Sequence, residues 1–224
     1  MKSFYLLLVL LLVVPAAACK HGLHSGIRGT GKREVQKRTV TAFTSISTEG
    51  AFNIEVKCQK ELGVEVEADD NILPLVTTEV SANVLYLKNT ANYSVREPVT
   101  IRISVPDIEG LTVSGAGTID ISDMKNNKFE IDSSGAPSIK VSGVTKLVDI
   151  DTSGAARIDT HNLRASHAIV DSKGVSKVDL DVRDQLDVKI SGPSFVTYEG
   201  DPTVNQSISG PGKLQQKKGL TEGA

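Results

Sequence analysis

The chain has 224 residues, 27 acidic against 25 basic, a formal net charge of -2, no tryptophan and two cysteines. That balance argues against a nucleic-acid binder, which carries a strong basic excess. Two cysteines argue against a disulfide-stapled miniprotein. A single long apolar run, at the start, excludes a polytopic membrane protein.

That run extends from Phe4 to Ala18, preceded by Lys2 and broken only by Pro15. It is short for a membrane span of about 20 residues, and its charge, apolar core and small-residue end predict a signal peptide over 1–18. Ala16-Ala17-Ala18-Cys19 resembles a bacterial lipoprotein box, which makes Cys19 the lipidated first residue of the mature chain. An ordinary signal would be cut at the same bond. On the first reading Cys58 is a lone free thiol; on the second a Cys19–Cys58 disulfide stays open. No Asp follows Cys19, which in the general bacterial pattern points to the outer membrane.

Residues 19–37 read as a lipid-anchored tether, since the stretch is basic, Gly-rich and without period. Within it, Gly26-Ile27-Arg28-Gly29-Thr30-Gly31-Lys32 has P-loop spacing. Arg33 follows where Ser or Thr should hold magnesium, and no apolar strand precedes it, so nucleotide binding is not expected. His21 and His24 also lie here and read as a mobile surface pair.

The body is expected over 38–219, with 220–224 a disordered tail. Val64-x-Val66-x-Ala68, Val84-x-Tyr86-x-Lys88 and Val99-x-Ile101-x-Ile103-x-Val105 alternate as strands do. Asp69 to Val80 is the one candidate for a short helix, and Asn89 to Glu97 reads as a polar loop.

From there the chain repeats. A glycine followed by a small residue recurs at Gly115, Gly135, Gly154, Gly174, Gly192 and Gly210, in steps of 20, 19, 20, 18 and 18. An earlier copy is centred on Gly50. Four residues after the six later glycines stand Ile119, Ile139, Ile158, Val178, Val196 and Leu214. Positions -4, -2, +4 and +6 share parity, so a strand turns them to one face; the positions between are polar. Each copy is therefore strand, glycine corner, strand. The glycine serves either a bend with φ > 0 or a corner too crowded for Cβ. The whole predicts an all-β parallel β-helix or solenoid, with coils of about 19 residues stacked about 4.8 Å apart. Ser133, Thr152 and Ser172 recur inward at -2, where they can form a hydroxyl ladder between coils.

Thr41 to Ser47 running into Glu49-Gly50-Ala51-Phe52-Asn53-Ile54-Glu55-Val56, then Val113-Ser114-Gly115-Ala116-Gly117-Thr118-Ile119-Asp120, resembles the bacterial head GIN domain, described as an auto-transporter adhesin head. Gly29-Thr30-Gly31-Lys32 is similar to the segment that often opens it. The resemblance covers roughly residues 28 to 217. It implies a right-handed β-helical fold on an exported protein, often a lipoprotein. The shared motif is structural, so it carries over no catalytic or binding residue. Cys58 departs from it, standing where a polar residue is expected.

No cofactor, metal site or catalytic residue is expected. His161 and His167 read as exposed turn residues, Cys58 as a small buried hydrophobe, and the many outward carboxylates as a solvated face. The expected function is a non-catalytic adhesion or interaction module of the cell envelope. It would be held at the outer membrane by its lipid and would face a protein or glycan ligand. A structural envelope protein assembling as a homo-oligomer and a lipid- or glycan-binding module are the alternatives, with a polysaccharide-acting β-helix enzyme behind them. Absence of Trp weakens the glycan version.

Overall fold

A computed structural model describes residues 26–217. Its first strands are β1 (Ile27–Arg28), β2 (Arg33–Arg38), β3 (Ser45–Thr48), β4 (Asn53–Lys57) and β5 (Gly63–Asp69). Then come β6 (Val76–Ser81), β7 (Val84–Asn89), β8 (Tyr93–Ser94), β9 (Thr100–Ser104) and β10 (Gly110–Val113). The second half holds β11 (Thr118–Lys125), β12 (Lys128–Ser133), β13 (Ser138–Thr152), β14 (Arg157–Ser172), β15 (Lys177–Ile190), β16 (Phe195–Glu199), β17 (Thr203–Ile208) and β18 (Lys213–Gln216).

Apart from the antiparallel strands β2, β5 and β6 and the separate β1–β8 pair, the strands stack in parallel, as the repeat predicts, and form a β-solenoid. Ile101, Ile54, Ile119, Ile139, Ile158, Val178, Val196 and Leu214 stand in one in-register column. Leu85, Ile46, Leu111, Ile131, Ile150, Val170 and Val188 form a second. All but the terminal Leu214 are buried, and each aliphatic side chain so removed from water contributes about 1.5–3 kcal/mol.

The glycines stand over one another at the corner. Each corner amide donates to the glycine carbonyl one coil below: Ala116 to Gly50 (3.1 Å), Ala136 to Gly115 (3.0 Å), Ala155 to Gly135 (2.9 Å) and Val175 to Gly154 (2.9 Å). A Cβ on Gly135 would fall 2.8 Å from the carbonyl carbon of Gly115 and nearer still to its oxygen. Of the two uses open to these glycines, crowding therefore governs the stack from Gly115 to Gly192, and only Gly50 and Gly210, at its ends, have positive φ. Pro193 has no amide to offer, and the Ser194 hydroxyl donates to the Gly174 carbonyl in its place at 2.8 Å.

Unequal repeat lengths have a simple physical basis. In the 18-residue step after Gly174 the inward positions Val178, Leu180, Val182, Leu186, Val188 and Ile190 keep one parity throughout. The 19-residue step after Gly135 changes parity once, between Thr145 and Val148. The 20-residue step after Gly154 changes it twice, between Thr160 and Leu163 and between Ala165 and Ala168, where the β14 register with β15 also shifts. Each added residue is absorbed as a bulge at the second corner, which restores the core face.

The N-terminal end is closed by antiparallel strands. On one side β5 pairs β9 and β2 pairs β5; on the other β6 pairs β7. Two expectations are corrected here. The tether reading reached residue 37, but Arg33–Arg38 is the outermost strand of this cap, and Ile27–Arg28 pairs Tyr93–Ser94 inside the expected loop. Asp69 to Val80 holds no helix beyond one 3-10 turn, Leu73–Leu75, entered through Pro74, before β6 begins. Val76, Thr77, Thr78 and Val80 are β-branched and favour the strand. The expected signal peptide 1–18, Cys19, His21, His24 and the tail 220–224 lie outside the described residues.

Candidate functional site: the outward sheet faces

The P-loop-like segment is a clasp on the cap. Its amides, which in a nucleotide site would cradle phosphate, are taken by the chain itself. Thr30 N–H donates to the Asn71 side chain (3.1 Å) and Gly31 N–H to the Asp69 carboxylate (2.8 Å). The Thr30 hydroxyl donates to Asp70 (2.5 Å), and Lys32 pairs with Glu34. The Asp70 carboxyl is held below its usual range, first by the Thr30 hydroxyl.

The expected hydroxyl ladder exists in altered form. Bonds run diagonally, from position -2 of one coil to position +2 of the next. Thr152 Oγ1 lies 3.0 Å from Ser176 Oγ, and Ser172 Oγ donates to Ser194 Oγ at 2.6 Å. Ser133 faces Ala156 at the corresponding place, so its buried hydroxyl has no partner. Gly210 has only Ser191 O, at 3.9 Å, near its Cβ position.

Cys58 is fully buried, and burial first, then Asp107 and Asp123, pushes its thiol up to about 12. It is a core residue with no thiolate to offer at neutral pH. His161 and His167 both lie on β14, not in a turn. His167 Nε2 sits 2.7 Å from Asp187 Oδ2, and Gln185 and Asn205 also donate to that carboxylate, at 2.7 and 2.8 Å. Asn205 first, then His167, holds Asp187 below the usual carboxylate range. His161 Nδ1 lies 3.4 Å from Glu199.

The exposed chemistry is concentrated on the outer surfaces of the two columns. On one, in-register pairing lines up Asp132, Asp151, Asp171 and Lys189. Beside them run Glu130, Asp149, Ile169 and Asp187. Like charges about 4.8 Å apart repel, and lysines relieve this. Lys173 Nζ reaches Asp151 at 2.8 Å and Asp171 at 3.3 Å, Lys189 reaches Asp171 at 3.6 Å, and Lys128 reaches Glu130 at 3.0 Å. Asp149 is pushed up, first by burial and then by Glu130.

On the other face, β5, β9, β4 and β11 carry a shallow trough made of two adjoining hollows of about 390 and 340 Å³ that share Glu55 and Lys57. Arg102 lines the second hollow, 2.8 Å from Glu67 and 3.5 Å from Glu55. Arg102 first holds Glu67 below its ordinary value. Lys57 and Asp120 form no ion pair among the described residues. Further along, the buried Asp179 carboxylate accepts from the Thr197 hydroxyl and from Lys217 Nζ (2.8 Å), with Lys177 at 3.5 Å. Burial pushes Asp179 up, but these donors outweigh it and its pKa is lowered. The trough escapes sequence reasoning, because alternation marks Glu55, Lys57 and Arg102 as outward and says nothing of their meeting.

Across residues 42–202 the chain matches the family described as "Putative auto-transporter adhesin, head GIN domain". Comparison with curated proteins gives no match. Among solved structures, a "putative adhesin" from Bacteroides fragilis NCTC 9343 is similar with a TM-score of 0.71 at 22% identity, over 86% of this chain and 100% of that one. A "putative adhesin" from Parabacteroides merdae ATCC 43184 follows with a TM-score of 0.54 at 16% identity, over 86% and 99%. A "putative lipid binding protein" from Parabacteroides distasonis ATCC 8503 has 0.54 at 19% identity, again over 86% and 99%. At these identities the likeness is one of fold. The family match spans more than half of the chain: the protein belongs to the head GIN domain family.

Proposed function

We infer that the protein is an exported, lipid-anchored adhesion module that binds a polar protein or glycan ligand with its outward sheet faces and performs no chemistry on it. The observation that carries this reading is the in-register ordering of charged and hydroxylated side chains over rigid sheet faces, one of which is hollowed by the trough lined by Glu55, Lys57 and Arg102. Rigid strands hold such groups without the ordering cost a loop would bear. Family membership supports the adhesive role. The lipoprotein-like box supports the anchor: Cys19 precedes Gly26, at the capped end, by seven residues. From β2 to β18 the sheet then projects ten strands, about 43 Å at about 4.8 Å per strand, away from the anchor. The test compares retention on host or neighbouring-cell surfaces of cells carrying the full chain or its Cys19→Ser variant. Intact mass of the membrane-extracted protein is read alongside. Added diacylglycerol and fatty acid on the first, and their loss together with retention on the second, is expected. A soluble, unmodified species with a Cys19–Cys58 disulfide would overturn the anchor, and undiminished retention by Cys19→Ser cells would overturn the role.

A further inference from the structure

The two ends of the solenoid differ. At the N-terminal end each column is closed by an antiparallel strand, and the outermost strand, β2, carries Arg33, Glu34, Lys37 and Arg38 on its open edge. Charge on an edge strand discourages further pairing. At the C-terminal end β17 pairs only β15 and β18 only β16, and no described strand covers either. Thr203-Val204-Asn205-Gln206-Ser207-Ile208 holds no charge and no proline. Ile208 is 40% exposed, and Val204 and Leu214 are only half-buried although both lean on the core.

We propose that this end is a self-recognition surface, on which a second copy of the chain adds its own β17 and β18 antiparallel across a two-fold axis. The fold already contains such a junction at its other end. There Val64 faces Ile103 and Val66 faces Ile101, inward residue against inward residue, in an antiparallel pair laid on a parallel stack. Opposite residues of an antiparallel pair share a face, so the same parity rule fixes the choices for β17 against its copy. One register sets Val204 against Ile208, Asn205 against Ser207 and Gln206 against itself. It continues the core with an apolar pair and opposes no like charges. A two-fold axis makes β18 antiparallel to its copy at the same time and closes the contact isologously, so it ends as a dimer and not a filament. The ten residues of the two edge strands fall well short of the roughly 20–30 per side of a standard interface, so the association is weak and concentration-dependent. If the chain is anchored near Gly26, as inferred above, the anchors point away from each other and the pair joins two opposed surfaces. Only this last step rests on the anchored reading.

The experiment is sedimentation velocity on the full-length chain carrying Cys19→Ser, so that acylation plays no part, from about 1 to 500 µM, the range of a micromolar-or-weaker complex. A reversible monomer–dimer equilibrium is expected. Gln206→Lys and Gln206→Glu each set like charges opposite one another at the axis, and each should weaken dimerisation at least about tenfold while the far-UV circular dichroism stays unchanged. An equimolar mixture of the two variants should recover the dimer, an outcome that a folding defect cannot produce. Val35→Lys, on the capped end, should leave the equilibrium alone. A monomer throughout the range, a dimer indifferent to Gln206, a mixture that does not recover, or loss of the dimer in Val35→Lys each overturns the proposal. None of these outcomes bears on membrane retention.

Discussion

Adding one methyl group to Gly135 sets the stacked-corner account against its alternatives. In Gly135→Ala the new Cβ would lie 2.8 Å from the Gly115 carbonyl carbon and nearer to its oxygen, with the Gly115 amide nitrogen at 3.1 Å. Those atoms are backbone, so no rotamer change relieves the clash and the coils must part locally. Parting stretches the Ala136 N–H bond to Gly115 O, now 3.0 Å, whose net worth is about 1 kcal/mol. Overpacking adds about 1–3 kcal/mol. The lower entropy of the unfolded alanine chain returns about 0.4–1 kcal/mol. The net loss is about 1–3.5 kcal/mol. The control is Gly63→Ala, the same chemical change at a glycine whose Cβ position has nothing within 4 Å and whose φ is not left-handed. It should be neutral or stabilising by up to about 1 kcal/mol. In urea, with a slope of about 2 kcal/mol/M, Gly135→Ala should lower the midpoint by about 0.5–1.8 M and Gly63→Ala should leave it or raise it. Equal midpoints for the two variants would refute the claim that contact between coils is what excludes a side chain at the corner.

The diagonal hydroxyl pairs predict that Ser133→Ala, which removes a partnerless buried hydroxyl, is neutral or stabilising in thermal melts. Thr152→Val, which leaves Ser176 Oγ only its 3.4 Å bond to the Gly154 carbonyl, should cost about 0.5–1.5 kcal/mol. Asp179 titrates below its ordinary value, so its contribution is complete above about pH 4 and fades as pH falls through its lower folded value. Asp179→Asn should therefore flatten the loss of urea midpoint below pH 4, and an unchanged slope would count against the Lys217 contact. Cys58, pushed up to about 12, should resist a thiol reagent at pH 8 in the folded chain and react stoichiometrically in guanidinium, whereas rapid native labelling would place it outside the core.

The parts of the fold written most plainly in the sequence are those where many copies report the same geometry. Ile119, Ile139, Ile158 and Val178 announce their column because four coils repeat one spacing. The caps carry no such redundancy. In Arg33–Arg38 only Val35 is apolar, since an edge strand exposed on both sides needs no alternation, and the segment looks like a linker. The β6–β7 hairpin turns at Ala82-Asn83, both with positive φ (49° and 63°), without the glycine that usually marks such a turn. Hidden behind it, β6 reads as a helix candidate. The second-corner bulges were implicit in the 18-, 19- and 20-residue steps, and the diagonal hydroxyls in Thr152 with Ser176 and Ser172 with Ser194, but both need a three-dimensional register to be paired. The trough is less legible still, because Glu55, Glu67 and Arg102 come from three strands, one of them, β5, in the cap.

The claim that the outward faces, and not a reactive group, do this protein's work is tested most directly by charge reversal in the trough. Lys57→Glu with Asp120→Lys alters two groups that make no ion pair within the described fold, so stability should change by no more than about 1 kcal/mol. Cells carrying this double variant should lose surface retention while wild-type cells keep it. Full retention by the double variant, at equal surface abundance, would contradict the account.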